Sequence, residues 1–179
     1  MAQRSRASRA TIAAFLAATP KSCLRIFDIN LRQHYYDARV VMAGLRAAGV
    51  LKLNDEELPV VARLLGIHGD PERQLRTLLI GYGLRLVALT RGPQGATLIS
   101  RRECSTQPAP AVNVVDTVGA GDAFTAALAM GLWHKLDLQT INRQACRLAA
   151  YVCGQVGATP PVPEGVLEMV PSPSGRGLG

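Results

Sequence analysis

Short apolar runs alternate with helix-length segments along this chain, and that alternation constrains the fold more than any other feature. The runs "CLRIFDIN" (23–30), "VLKLN" (50–54) and "LRLVALTRG" (84–92) are short and rich in Leu, Val and Ile, as buried strands are. The segments between them carry helix start and stop signals. Asp37 can cap a helix running to about Ala48, with Gly49 close to its end. "DEELPVVARLLG" places acids in a first turn, where the helix dipole favours them, and its Pro59 is tolerated only near that turn. Asp70 and Pro71 read as an N-cap and first helical residue. Strands joined through helices pair in parallel, so the chain reads as α/β, with a mostly parallel sheet covered by helices.

The remaining segments fit that frame. Thr11 to Ala18 reads as a helix that Pro20 helps to end. "LRQHYYD" (31–37) is a polar, aromatic loop. "PQG" (93–95) is a turn between "LRLVALTRG" and "ATLIS", which predicts a small β-hairpin. "APAVNVV" (109–115) reads as extended. Helices are expected from Ala120 to about Lys135 and from about Leu138 to Cys153. From Pro160 the chain is rich in Pro, Gly and Ser, and residues 164–179 read as a disordered tail behind a domain ending at residue 163.

Composition narrows the function classes. The length of 179 residues makes one domain the default, and 48% hydrophobic with only 4% aromatic residues means a core of Leu, Val, Ile and Ala. The net charge of +7 is read as a solvated surface that also suits a phosphate-bearing ligand. Its basic residues are scattered without aromatic interleaving, which argues against a nucleic-acid partner. Cys23, Cys104, Cys146 and Cys153 form no CxxC pair and no His stands at metal-ligand spacing from them, so they read as buried, reduced thiols of a cytoplasmic protein. His34, His68 and His134 are isolated and read as structural. No apolar run is long enough for a membrane span. The Arg-rich, acid-free start superficially fits a transit peptide. It leads straight into a strand, and an ordinary amphipathic helix is the better reading.

The chemistry concentrates in "VVDTVGAGDAFTAAL" (114–128), where glycines and acids meet between an extended run and an alanine-rich helix. Gly119 and Gly121 lack Cβ atoms, so their amides can approach an anion closely. A helix starting there aims its unsatisfied N–H groups and positive dipole end the same way. Asp122, in the first turn, could take the proton from a hydroxyl as it attacks phosphorus. No GK[ST] follows the glycines, so this is not a Walker A loop. A plain glycine turn with a solvated helix-start acid is the alternative reading of the residues alone.

The longer string decides between them. "DTVGAGDAF" resembles the signature of the ribokinase-like, or PfkB, family of carbohydrate kinases. "FDINLRQHYYDARVV" and "VLKLNDEELPVVARLLG" resemble the middle of fructokinase-like members, "LVALTRGPQGATLIS" the nucleotide-side strand and hairpin, and "NRQACRLAAYVCGQVGATPPVP" the adenine-side helix and loop. The resemblance covers about Ala2 to Pro163. It implies a partial ribokinase-like fold and ATP with Mg²⁺ as cofactors. It implies Asp122 as base and Gly119, Ala120 and Gly121 as anion hole. Asn54 and Glu57 match the family's NxxE pattern, associated with Mg²⁺ and phosphate, with Mg²⁺ reached from Glu57 through water. Thr90, Gly92 and Gly95 match positions flanking the nucleotide, Gly157 and Ala158 the adenine-side loop, and Asn30 and Arg32 a polar loop near the phosphates. A helix cap at Asn54, a tight turn at Gly92 and Gly95, and a free surface arginine at Arg32 are the structural alternatives.

The resemblance is to the C-terminal part only. The glycine-rich sugar-binding segment and the lid strands of such kinases have no counterpart here. The expectation is therefore an ATP-dependent sugar kinase, fructose favoured, in truncated form and with its activity alone left open; the alternative is a non-catalytic nucleotide-binding or interaction fragment. A complementing N-terminal chain would supply the rest, and a homo-oligomer is a further expected assembly. Within the family, 2-keto-3-deoxygluconate, another sugar or a nucleoside are the alternative acceptors.

Overall fold

The computed structural model describes residues 5–20, 22–31 and 36–167. Among these described residues, seven α-helices and five strands follow one another as α1 (Arg6–Ala18), β1 (Ile26–Asp28), α2 (Ala38–Ala47), β2 (Val50–Asn54), α3 (Glu57–Leu65), α4 (Pro71–Gly81), β3 (Leu86–Thr90), β4 (Ala96–Ser100), β5 (Cys104–Gln107), α5 (Ala120–Trp133), α6 (Leu138–Cys153) and α7 (Glu164–Leu167). The strands lie in one sheet in the order β1-β2-β3-β4-β5. β1, β2 and β3 pair in parallel, with Asp28 opposite Lys52 and Asn54 opposite Thr90. The short connections Arg91–Gly95 and Arg101–Glu103 join sheet neighbours. Parallel strands cannot be joined so briefly, so β4 and β5 turn back as hairpin strands. The sheet is mixed, mostly parallel and flanked by helices.

The chain divides into two compact units, residues 1–91 with 97–104, and residues 92–96 with 105–179. In the first, Leu51, Leu53, Val87 and Ile99 from the strands pack with Val41, Leu45, Val61, Leu78 and Leu79 from the helices. β2 and β3 are each buried at four successive positions, as expected of strands covered on both faces. Burying each such side chain contributes roughly 1.5–3 kcal/mol. In the second unit α5 and α6 pack together. Gly131 lets Ile141 approach, since a Cβ there would lie 2.7 Å from Ile141 Cγ1. Buried Asn142 donates from Nδ2 to the carbonyls of Ala96 (3.1 Å) and Ser105 (2.9 Å), tying α6 to strand backbone.

Local capping explains most helix starts. The carboxylates of Asp37, Asp70 and Asp137 accept from the amides of Val40, Arg73 and Thr140 at 2.8–2.9 Å, as N-caps do. α1 begins at Arg6 behind its N-cap Ser5, whose Oγ accepts from Ser8 N at 3.0 Å, ahead of the Thr11 expected from the sequence. The cap, not hydropathy, sets that end, and no residue of α1 is buried. Cys23 and Cys104 are exposed, contrary to the burial expected of them. Residues 109–115, expected to be extended, pair with no strand. They are held instead by Val115 and Asp116, whose amides both donate to the Cys153 carbonyl at 2.8 and 3.2 Å. The strand lies earlier, at Cys104–Gln107, where only Ser105 is buried. Beyond α6, the Tyr151 hydroxyl donates to the Pro161 carbonyl (2.7 Å) and Arg147 to that of Gly165 (3.0 Å).

Candidate functional site

The candidate residues gather at two helix N-termini, one in each unit. At the first, β2 ends at Asn54 and α3 begins at Glu57. Asn54 Oδ1 accepts from Glu57 N at 2.8 Å, and Glu57 Oε2 accepts from Asn54 N at 2.9 Å. This reciprocal pair is the logic of a capping box. The other carboxylate oxygen of Glu57 accepts from Leu31 N at 2.7 Å. Glu57 is only 7% exposed, so its charge is balanced by main-chain dipoles rather than by water. Asn54 therefore caps the junction, and Glu57 reaches across to the segment that follows β1.

That segment contains Asn30, which is exposed and has φ 43°. The left-handed region is tolerated by Asn better than by most residues. Arg32, the neighbouring candidate, lies outside the described residues, as do His34 and much of the 31–37 loop. Thr90 ends β3, its carbonyl accepting from Asp55 N at 3.0 Å and its hydroxyl lying 3.5 Å from the Leu53 carbonyl. So Asn54, Glu57 and Thr90 stand together at the carboxyl ends of parallel strands, where open α/β sheets bind ligands. The residues that reasoning from sequence did not mark are Asp28 and Lys52. The ammonium of Lys52 contacts both Asp28 oxygens, at 3.2 and 3.1 Å, with side-chain exposures of 8% and 20%.

At the second N-terminus, Gly119 has φ 85° and precedes α5, whose start receives no side-chain cap. A Cβ on Gly119 would run into the Ala158 carbonyl, so only glycine lets the two segments meet. Gly157, at φ 84°, adjoins that contact. The structure thus brings the 119–121 turn and the 157–158 loop together. Asp116 Oδ1 accepts from Val118 N at 3.0 Å and the Thr117 carbonyl from Ala120 N at 3.3 Å, which folds the turn tightly. Asp122 lies in the first turn of α5, exposed, and its carboxylate takes part in no hydrogen bond among the described residues. Close by, burial raises the Cys153 thiol above its ordinary value, and the charge of Asp116 raises it further.

The remaining glycine candidates have structural explanations. Gly92, at φ 49°, opens a 3₁₀ turn of residues Gly92–Gln94 that closes with Gly95 N donating to the Gly92 carbonyl at 3.0 Å. A Cβ on Gly95 (φ 83°) would collide with the backbone of Gln107 to Ala109.

No three His, Cys, Asp or Glu side chains cluster as a metal site among the described residues. Each Glu57 oxygen accepts one N–H and keeps a free lone pair. The residues present therefore fit an ion such as Mg²⁺ only when reached through a coordinated water. No helix among the described residues is long and apolar enough to cross a membrane.

A family model described as pfkB family carbohydrate kinase matches residues 5–165, and the chain belongs to that family. It is 41% identical to the fructosamine kinase FrlD of Bacillus subtilis over 78 residues, covering 44% of this chain and 28% of that protein. It is 30% identical to a fructokinase of Escherichia coli over 140 residues, covering 74% of this chain and 44% of that one. Its fold matches the aminoimidazole riboside kinase of Salmonella enterica, solved with aminoimidazole riboside and an ATP analogue. The TM-score is 0.76 and the identity 25%, over 94% of this chain and 59% of that one. The chain thus spans less than two thirds of each of these proteins.

Proposed function

We propose that this chain carries the phosphoryl-transfer half of an ATP-dependent carbohydrate kinase. The observation that carries the reading is the start of α5, a glycine-led helix N-terminus without a side-chain cap, with an exposed carboxylate in its first turn. Amides of Gly119 to Gly121 would cradle the transferring phosphate, where charge is greatest. Asp122 would accept the proton of the attacking hydroxyl. The contact of Gly119 with Ala158 would keep the adenine-side loop in register with that cradle, and Thr90, Gly92 and Gly95 would border the nucleotide. Mg²⁺ would neutralise the phosphates, with Glu57 contacting it through water and Asn54 and Asn30 beside it. Arg32 is assigned to the same phosphate side from its sequence match alone.

Among acceptors, fructose is favoured by likeness to the Escherichia coli fructokinase. The riboside bound by the Salmonella enterica enzyme makes a nucleoside the main alternative. The test is ATP consumption with fructose and Mg²⁺ by the purified chain and by Asp122→Asn. Fructose-dependent turnover that disappears in the variant is expected, and equal turnover in both would sink the role of Asp122. A second reading rests on the chain's partial span of its relatives: a nucleotide-binding module that does not turn over by itself. It predicts ATP binding in calorimetry with no sugar-dependent hydrolysis or transfer.

A further inference from the structure

The Asp28–Lys52 pair has no part in the roles assigned above, yet it is the only ion pair among the described residues in which both partners are mostly sequestered. Taking an ammonium and a carboxylate out of water is unfavourable, and an apolar pair of similar size is often as stable. Stability alone therefore gives a weak reason for these charges in adjacent parallel strands. Their position gives a better one. Asp28 is the last residue of β1 and pairs in register with Lys52.

Lys52 holds the chain beyond β1 twice. Its ammonium grips Asp28, and its carbonyl accepts from Ile29 N at 3.1 Å. Two residues further on, the Leu31 amide is pinned to Glu57 at 2.7 Å. Asn30, with φ 43°, is confined between these anchors. A non-glycine residue stays in that sparsely populated region only when its surroundings over-determine it. Ile29, on one side, is buried to 1% exposure, so the turn cannot relax by rolling outward.

We propose that Asp28 and Lys52 are positioning residues: they fix the end of β1 so that Asn30 is presented, left-handed, at the carboxyl end of the sheet, with Leu31 latched to Glu57. The proposal rests on the phosphate-side reading of this junction, but its first readout does not. Amide exchange followed by NMR in the full chain reports the Leu31–Glu57 latch directly. The decisive variant is Asp28→Leu with Lys52→Met, which removes both charges at once. We expect global stability close to that of the parent, Leu31 exchange faster by about tenfold, and Val87 and Leu89 amides unchanged. Lys52→Arg, which keeps the charge, should restore Leu31 protection.

The second readout is calorimetric affinity for MgATP, expected to weaken by about tenfold in the double variant. Parental Leu31 exchange in that variant would overturn the proposal, as would loosened Leu31 with unchanged MgATP affinity. If the double variant does not fold, Asp28→Asn decides: a local rise at Leu31 supports the latch, and either no rise or a uniform rise across β3 overturns it. Failure of the parent chain to bind ATP would count against the phosphate-site reading, while the exchange data would still judge the latch.

Discussion

The N-termini of α3 and α5 begin from similar ingredients and end in opposite states. Each follows an extended stretch and places a carboxylate in its first turn. At α3 the carboxylate of Glu57 is buried and both oxygens are taken by the amides of Leu31 and Asn54. At α5 the carboxylate of Asp122 is exposed and no side chain caps the helix. A helix start whose acid is tied to backbone amides holds a fold together. One left open is available to a ligand. The difference separates a residue that frames a site from one equipped to act in it.

The sharpest way to break this comparison is to exchange the acids for their amides. Asp122→Asn should reduce phosphoryl transfer by about 10²–10⁴-fold, the usual contribution of a positioned general base, while leaving the unfolding midpoint at its parental value. Gly119→Ala is the next largest. It forces a Cβ into φ 85° and against the Ala158 carbonyl, which should cost about 1–3 kcal/mol and weaken ATP binding, read by denaturant titration and calorimetry. Glu57→Gln, unlike Asp122→Asn, should lower stability as well as transfer. Its amide nitrogen cannot accept from a backbone N–H, so one buried donor is left unpaired, at about 1–3 kcal/mol of stability.

The smallest expected effect lies at a third helix start. The carboxyl of Asp137 caps α6 and is held below its ordinary value of 3.8, chiefly by the Thr140 amide and then by the Thr140 side chain. A lowered folded value means the ionised form favours the native state. Its contribution is complete above the unfolded value and fades as pH falls through the folded one. Thermal unfolding followed from pH 5 to pH 2 should therefore drop slightly less for Asp137→Asn than for the parent. An identical pH slope in both would show that the cap does not sense its protonation.

What was legible in the sequence was local. Asp70 with Pro71, and Asp37, announce the starts of α4 and α2, because caps act over three residues. α6 runs over the expected Leu138–Cys153, where the period of buried residues is unambiguous. The ribokinase-like fold was legible through motif strings that follow the chain in order. What was hidden depends on distant partners. β5 has one buried side chain, and its place is secured by Asn142, 37 residues away. The Glu57 carboxylate meets Leu31, 26 residues back, and Lys52 meets Asp28 across 24 residues. No spacing rule reports such contacts, so the sequence marked Glu57 as a ligand-facing acid without exposing its hold on the backbone.

The central claim is that the open start of α5 is the phosphoryl-transfer site and that Asp122 is its base. It is tested most directly by following ³²P from [γ-³²P]ATP into fructose, with Mg²⁺ present, for the parent chain and for Asp122→Asn, with ATP affinity measured on both. The account predicts labelled sugar phosphate from the parent, a loss of at least about 10²-fold in the variant, and equal ATP affinity. Labelling at the same rate by both proteins, or no fructose-dependent labelling by the parent, would contradict it.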